Sequence, residues 1–209
     1  MNTPYRLAAA ATAVTLMALA AVNPVFADEA TAPANLRTLD IARLTADGKL
    51  HKPADMTSWI FLGTSLGMGY NPGSFNARRP GQFQVVLMEP NAYQHFAERG
   101  SYAPGTMFVL AFYDTDVQQR SINQNGFTQA ELTNFEIHLI EPKHKDGHVF
   151  YTFDANSAEG KALPAGNGCV SCHRDHGAFQ GTFAQFYPTL RPLIPKELLE
   201  KASRDHEIR

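Results

Sequence analysis

The sequence predicts one domain of the α+β class, built on an antiparallel β-sheet of about five strands with several helices. Two observations predict this fold. Five short runs are dense in aromatic and β-branched residues, and turn signals containing glycine or proline separate them. The chain has 209 residues, 44% of them hydrophobic, which suits a single hydrophobic core.

The predicted elements follow from local patterns along the chain. Asn125-Gly126 and Asp146-Gly147 are hairpin-type turn signals, and Pro90 is expected to open a short helix. The sequence contains no internal repeat. The predicted strands are 59–64, 83–88, 106–113, 135–140 and 148–153, and the predicted helices are 36–46, 91–99, 183–190 and 196–203.

The N-terminus has the pattern of a secretory signal. Arg6 precedes an apolar run at 7–22, and Val25-Phe26-Ala27 supplies a small-x-small cleavage site. The alternative is a membrane anchor, for which this run is short. We expect cleavage after Ala27, a signal peptide at 1–27, and a single domain at 28–209 that lies in the periplasm and is not membrane-bound.

The charge pattern limits the classes of partner that the chain is expected to bind. The formal net charge is −2, and no run of lysine and arginine is longer than Arg78-Arg79. A basic patch is the usual electrostatic mark of nucleic-acid binding, so no nucleic-acid partner is expected.

The two cysteines of the chain lie in one motif, Cys169-Val170-Ser171-Cys172-His173. This C-x-x-C-H spacing is typical of c-type haem attachment. Two thiols at this distance reach the two vinyl groups on one haem edge, and the next residue brings its imidazole under the iron. We therefore expect one covalent haem c, with thioether bonds at Cys169 and Cys172 and His173 as an axial ligand. The motif is expected to lie on a helix.

Three other interpretations of the motif stay open. A zinc site would need two more ligands, and the nearest candidate, His176, supplies one. A thioredoxin-like pair belongs early in a βαβ unit, whereas this motif lies late in the chain. Export leaves room for a structural disulfide.

A second axial ligand has no obvious source after the motif, because no methionine follows His173. We expect an open or weakly occupied sixth position on the iron, which favours binding of small ligands over pure electron transfer. The histidines that could compete are interpreted individually as surface or edge residues. They are His51, His95, His138, His144 and His148.

Five segments occur in a characteristic order along the chain. They are Trp59 with Gly63-Thr64, 89–93 ahead of Gly100, Pro104-Gly105-Thr106, the haem motif, and 186–191. Together they resemble the cytochrome P-460 family over roughly residues 45 to 191. The resemblance implies a β-rich α+β domain, often a homodimer, with haem held between the sheet and the C-terminal helices. Family members include hydroxylamine-oxidising enzymes and the gas-binding cytochromes c′-beta.

The sequence departs from the hydroxylamine-oxidising members. Aligning Gly105-Thr106 with the family step puts Leu110 where a lysine is cross-linked to the haem, and 106–114 contains no lysine. The carboxylate those enzymes use is also missing from 163–167.

A candidate pocket follows from strand periodicity. Thr106, Phe108, Leu110 and Phe112 would share one face, giving an apolar wall without a proton acceptor. Phe186 and Tyr187 are further pocket candidates, and core packing is the alternative for all of these residues. Asp175, Glu136 and His138 are candidates for a proton path, but Glu136 and His138 are interpreted as the solvated face of their strand.

The expected function is electron transfer or binding of a small gas or nitrogen-oxide ligand such as nitric oxide. The alternative is an oxidoreductase acting on hydroxylamine or nitric oxide, with electrons passed to a partner cytochrome.

Overall fold

The computed structural model describes residues 39, 41–69, 80–116 and 126–207, and the predicted signal peptide lies outside them. An antiparallel sheet of seven strands, in the order β1-β7-β6-β5-β4-β3-β2, forms its centre. The strands are β1 (Leu50–His51), β2 (Ile60–Leu66), β3 (Phe83–Met88), β4 (Met107–Asp116), β5 (Thr128–Ile140), β6 (His148–Asp154) and β7 (Glu159–Ala162). The α-helices are α1 (Pro90–Arg99), α2 (Gly168–His176) and α3 (Lys196–Glu207).

The α+β class is confirmed, but the expected count of about five strands is too low. All five predicted strands are present as β2 to β6. The two missed strands, β1 and β7, have two and four residues and pair with each other, Leu50 opposite Gly160. Such short strands carry no periodic pattern, and their pairing joins distant parts of the chain.

Two predicted helices are wrong. Within 41–46 the chain makes a turn closed by a bridge between Leu44 and Leu50, because the Lys49 amide donates to Thr45 Oγ1 at 2.9 Å and Gly48 adopts a φ of +80°. The segment 183–190 contains only a short 3₁₀ turn, Ala184–Phe186, and Pro188 lacks the amide hydrogen that a longer helix would need. The predicted helices at 91–99, at the cysteine motif and at 196–203 are confirmed.

The sheet buries side chains on both faces. On one, which we call the closed face, the rings of Phe135 and Phe153 stack with centroids 4.4 Å apart beside Trp59, Val109 and Ile137. On the other, the helix face, Phe108 and Ile140 pack against Phe96 of α1 and the chain that follows α2. Positions alternate, so Phe108, Leu110, Glu136 and His138 all belong to the helix face. Within the described ranges, no helix combines the length and apolarity needed to cross a bilayer.

Candidate haem site

Helix α2 presents the cysteine motif. Its start is fixed by Asn167, whose side-chain oxygen accepts hydrogen bonds from the amides of Cys169 at 2.8 Å and Val170 at 3.4 Å. Residues three apart on a helix share a face, so Cys169 and Cys172 lie together, with His173 next to them. Both cysteines are free thiols and partly buried. Burial and the nearby charge of Glu136 raise the pKa of Cys169.

The imidazole of His173 is oriented by one hydrogen bond. Its Nδ1 lies 2.8 Å from the carbonyl oxygen of Gly181. A carbonyl can only accept, so Nδ1 carries the proton and Nε2 keeps its lone pair. Burial lowers the pKa of His173 to about 4, although the bond to Gly181 acts in the opposite direction. The ring is therefore neutral near pH 7, which is the form that binds metals.

Three rings surround His173. Its centroid lies 4.5 Å from Phe183, 4.7 Å from His138 and 4.9 Å from Phe150. Phe150 and Phe183 were not predicted as partners of the motif, and His138 was weighed only as a competing axial ligand. Phe183 could have been found from its position ten residues further along the chain, whereas the other two come from β5 and β6 and needed the sheet pairing.

The surface or edge interpretation of His138 is wrong. His138 is only 8% exposed, and its Nε2 lies 2.8 Å from Nδ1 of His148 on the neighbouring strand. Burial lowers the pKa of His138 far below its usual value, and the neighbouring His173 and His148 add to this effect. Burial also lowers the pKa of His148, while Asp146 opposes that shift. The two rings thus form a neutral pair beside His173.

Glu136 corrects a second expectation. It pairs with Leu110 of β4 across the sheet and faces the same side, so the wall that was expected to lack a proton acceptor contains a carboxyl group. Burial raises the pKa of Glu136. Alternation of polar and apolar residues in β5 resembles a half-solvated strand, but β5 is central and the ring of His173 in α2 packs on His138 of its second face.

The predicted pocket residues are only partly brought together. Phe108 and Phe112 are buried on the helix face with Leu110 half-buried between them, while Phe108 also packs on the ring of Tyr102 at 5.3 Å. Tyr187 packs against the core of the helix face beside Gly63. Phe186 is 60% exposed and stacks on Phe183 at 5.9 Å.

The other candidate histidines lie elsewhere. His51 on β1 faces Glu159 of β7, His144 neighbours Asp146 in the β5–β6 hairpin, and His95 lies on α1.

The arrangement has the donor set of a c-type haem protein. Two free thiols lie one helical turn apart, and the neighbouring neutral imidazole keeps one unprotonated nitrogen, so the residues present fit a covalent haem. The sequence model of the family described as Cytochrome P460 matches residues 53–184, which is more than half of the chain. The chain belongs to the cytochrome P460 family, and a haem cofactor follows from that membership. No curated protein matches the chain.

Proposed function

We propose that this protein is an exported, periplasmic monohaem c-type cytochrome that transfers electrons, binds small diatomic ligands such as nitric oxide, or does both. The proposal rests on the hydrogen bonding and protonation of the His173 imidazole. Its Nδ1 donates to the Gly181 carbonyl, so Nε2 keeps its lone pair, and His173 lies on the same helix as two free thiols.

Each cysteine has a defined role in this proposal. Cys169 and Cys172 would hold the haem through thioether bonds formed by adding each S–H across a vinyl group, which needs no oxidant or reductant. His173 would bind the iron through Nε2. When bound, the haem supplies a one-electron redox centre and a position for an exogenous ligand.

The apolar residues of the proposed pocket favour neutral ligands, although Glu136 lies on the same wall. Phe108, Leu110 and Phe112 lie on one strand of the helix face, and the proposed pocket combines them with Phe186 and Tyr187. Apolar walls stabilise uncharged diatomic molecules relative to charged ones, because a charged ligand would lose its hydration without compensation. No methionine follows His173 to occupy the sixth position.

Absorption spectra of protein matured with haem c test the proposal. Spectra are recorded oxidised, dithionite-reduced, and reduced with nitric oxide or carbon monoxide. We expect a ferrous Soret band in the usual c-type range that shifts promptly on adding gas. The double variant Cys169→Ser, Cys172→Ser is expected to lose covalent haem by mass spectrometry, and its retention would contradict the proposed attachment.

Glu136 supports a second candidate function, oxidation of hydroxylamine or nitric oxide with electrons passed to a partner cytochrome. Each electron removed from hydroxylamine on the way to nitric oxide leaves with a proton, and the half-buried carboxyl beside Leu110 is a proton acceptor on the proposed pocket wall. Hydroxylamine would then reduce the ferric protein, and Glu136→Gln would slow this reduction at least tenfold. Equal rates in parent and variant would remove Glu136 from the mechanism.

Export is tested by the mass of the mature chain. Expression with its native N-terminus should release a periplasmic protein that begins at Asp28. A chain that keeps residues 1–27 would contradict the proposed signal peptide.

A further inference from the structure

The residues from Phe179 to Thr182 form a turn with unusual backbone angles, which we call the Gly181 turn. The amide of Thr182 donates to the carbonyl of Phe179 at 2.9 Å. The two central residues, Gln180 and Gly181, have φ values of +45° and +66°. These angles are those of a type I′ turn. Gln180 is the one non-glycine residue with positive φ among those the structure describes, so the turn is strained and must be held by its neighbours.

Tyr102, which follows α1, holds the turn from one side. The Tyr102 amide donates to Gln180 Oε1 at 2.9 Å. The Thr182 hydroxyl donates to the Phe179 carbonyl at 2.8 Å, so the Tyr102 hydroxyl is the donor in its 3.1 Å contact with Thr182 Oγ1. Both halves of the turn are therefore tied to one residue, and stacking on Phe96 at 4.5 Å fixes the ring of Tyr102.

His148 holds the turn from the other side. A Cβ atom placed on Gly181 would lie 2.7 Å from Nε2 and 2.9 Å from Cε1 of His148, so the imidazole rests directly against the glycine. The 2.8 Å hydrogen bond to His138 keeps the His148 ring in place. The Gly181 turn thus has no room for a side chain at its second central position.

We propose that the Gly181 turn, braced by His148 and by the Gln180–Tyr102 contact, sets the strength of the bond between His173 and the haem iron. This inference rests on the proposed function, in which His173 is the axial ligand. The Gly181 carbonyl accepts from His173 Nδ1 at 2.8 Å. Such a bond fixes the tautomer and ring orientation and makes the imidazole a stronger donor to a metal. Gln180, Gly181 and His148 are positioning residues that act through His173.

The main test is Gly181→Ala in haem-loaded protein, compared with Gly48→Ala. Gly48 also has positive φ, +80°, but nothing lies within 4 Å of an added Cβ. We expect Gly181→Ala to lower the iron–imidazole stretching frequency in resonance Raman spectra of the ferrous protein. Weaker donation also disfavours the ferric state, so the ferrous-to-ferric ratio at fixed potential should rise about tenfold, about 59 mV for one electron. Gly48→Ala should leave both readouts unchanged.

Two further variants separate the two braces. His148→Ala removes the ring that lies against Gly181, so both readouts should move in the direction seen for Gly181→Ala, and unchanged readouts would remove this brace from the inference. Gln180→Gly relieves the backbone strain while cutting the Tyr102 contact, so it folds, and both readouts should move in the direction seen for Gly181→Ala. An unchanged stretching frequency and potential in Gln180→Gly would remove that brace from the inference.

The outcomes distinguish this inference from the proposed function. A parent protein without covalent haem overturns both. A parent with haem whose stretching frequency and potential are the same in Gly181→Ala overturns the inference alone. If Gly181→Ala does not fold, the stretching frequency and potential of Gln180→Gly decide whether the inference holds.

Discussion

The two faces of the central strands differ in what they bury. On the closed face, β4, β5 and β6 contribute Val109, Phe135, Ile137 and Phe153, all apolar. On the helix face, the same strands contribute Glu136, His138 and His148 together with apolar residues such as Phe108. Burying apolar area stabilises a fold, whereas burying ionisable groups costs free energy unless they are neutral or paired. The closed face is thus apolar at these positions, whereas the helix face combines apolar packing with ionisable groups.

Every pKa shift of the helix-face side chains favours the neutral form. Burial lowers the pKa values of His138 and His173 and raises that of Glu136. Perturbed ionisable groups gathered in one place are typical of functional sites, and here they gather within one sheet face and one helix. The comparison predicts that substitutions on the closed face change stability and those on the helix face change pH dependence and haem properties.

The largest effect is expected on the closed face. Phe135→Ala should lower the free energy of unfolding by about 3 to 5 kcal/mol, because it removes a fully buried ring and leaves a cavity beside Phe153. Urea unfolding measures this loss. Phe127→Ala is the matched control, since Phe127 is 45% exposed and its loss should cost at most about 0.5 kcal/mol. Similar losses in both variants would contradict the buried packing of Phe135 on the closed face.

The second-largest effect is expected on the helix face, where a buried histidine makes the free energy of unfolding depend on pH. The folded-state pKa of His138 lies below its unfolded value, so the unfolded state binds more protons and stability falls as pH drops below about 6.5. His138→Phe should reduce the slope of stability against pH in this range by up to about 1.4 kcal/mol per pH unit. Urea titrations between pH 4.5 and 7.5 measure the slope.

A packing variant controls for the size of the ring at position 138. Phe150 stacks on His138 at 4.5 Å and carries no titrating group, so Phe150→Leu should lower stability at every pH without changing the slope. A flattened slope in Phe150→Leu would mean that packing, not protonation, causes the pH dependence.

A smaller effect is expected at the start of α2. Asn167→Ala removes the cap on the Cys169 amide and should cost about 1 kcal/mol of stability and reduce the yield of covalent haem. Asn167→Asp keeps a side-chain oxygen for the Cys169 amide but loses the 2.7 Å hydrogen bond from Nδ2 to the Pro164 carbonyl, so its loss of stability and of haem yield should be smaller than that of the Ala variant. Mass spectrometry of the haem adduct and thermal unfolding are the measurements. Equal yields in the Ala and Asp variants would show that attachment does not depend on this cap.

The smallest effect concerns Glu136. Its folded-state pKa is raised, so the folded state binds the proton more tightly, and stability falls as pH rises from the unfolded value through the folded one. Glu136→Gln removes this penalty and should stabilise the protein at pH 7 by less than about 1 kcal/mol. Urea unfolding at pH 5 and pH 7 measures it, and destabilisation at pH 7 would mean that the carboxylate has a stabilising partner.

Local sequence patterns were enough to predict much of the fold and to identify the cysteine motif. The strand at 83–88 was predicted with its observed bounds, and the helix opened by Pro90 ends at Arg99 as expected. Period-two alternation, a proline at the first turn and a contiguous C-x-x-C-H motif are all properties of neighbouring residues, so the sequence alone also determined the family.

The tertiary structure decided what depends on distant segments. Whether Glu136 and His138 are solvated or buried depends on what packs on that face, and there His173 and Cys169 of the cysteine motif lie beside them. The contact of His148 with Gly181, and hence the acceptor for His173, joins β6 to a turn more than thirty residues away. Alternation along a strand shows which residues share a face of the sheet. It does not show whether that face is buried, because burial depends on what packs on the sheet.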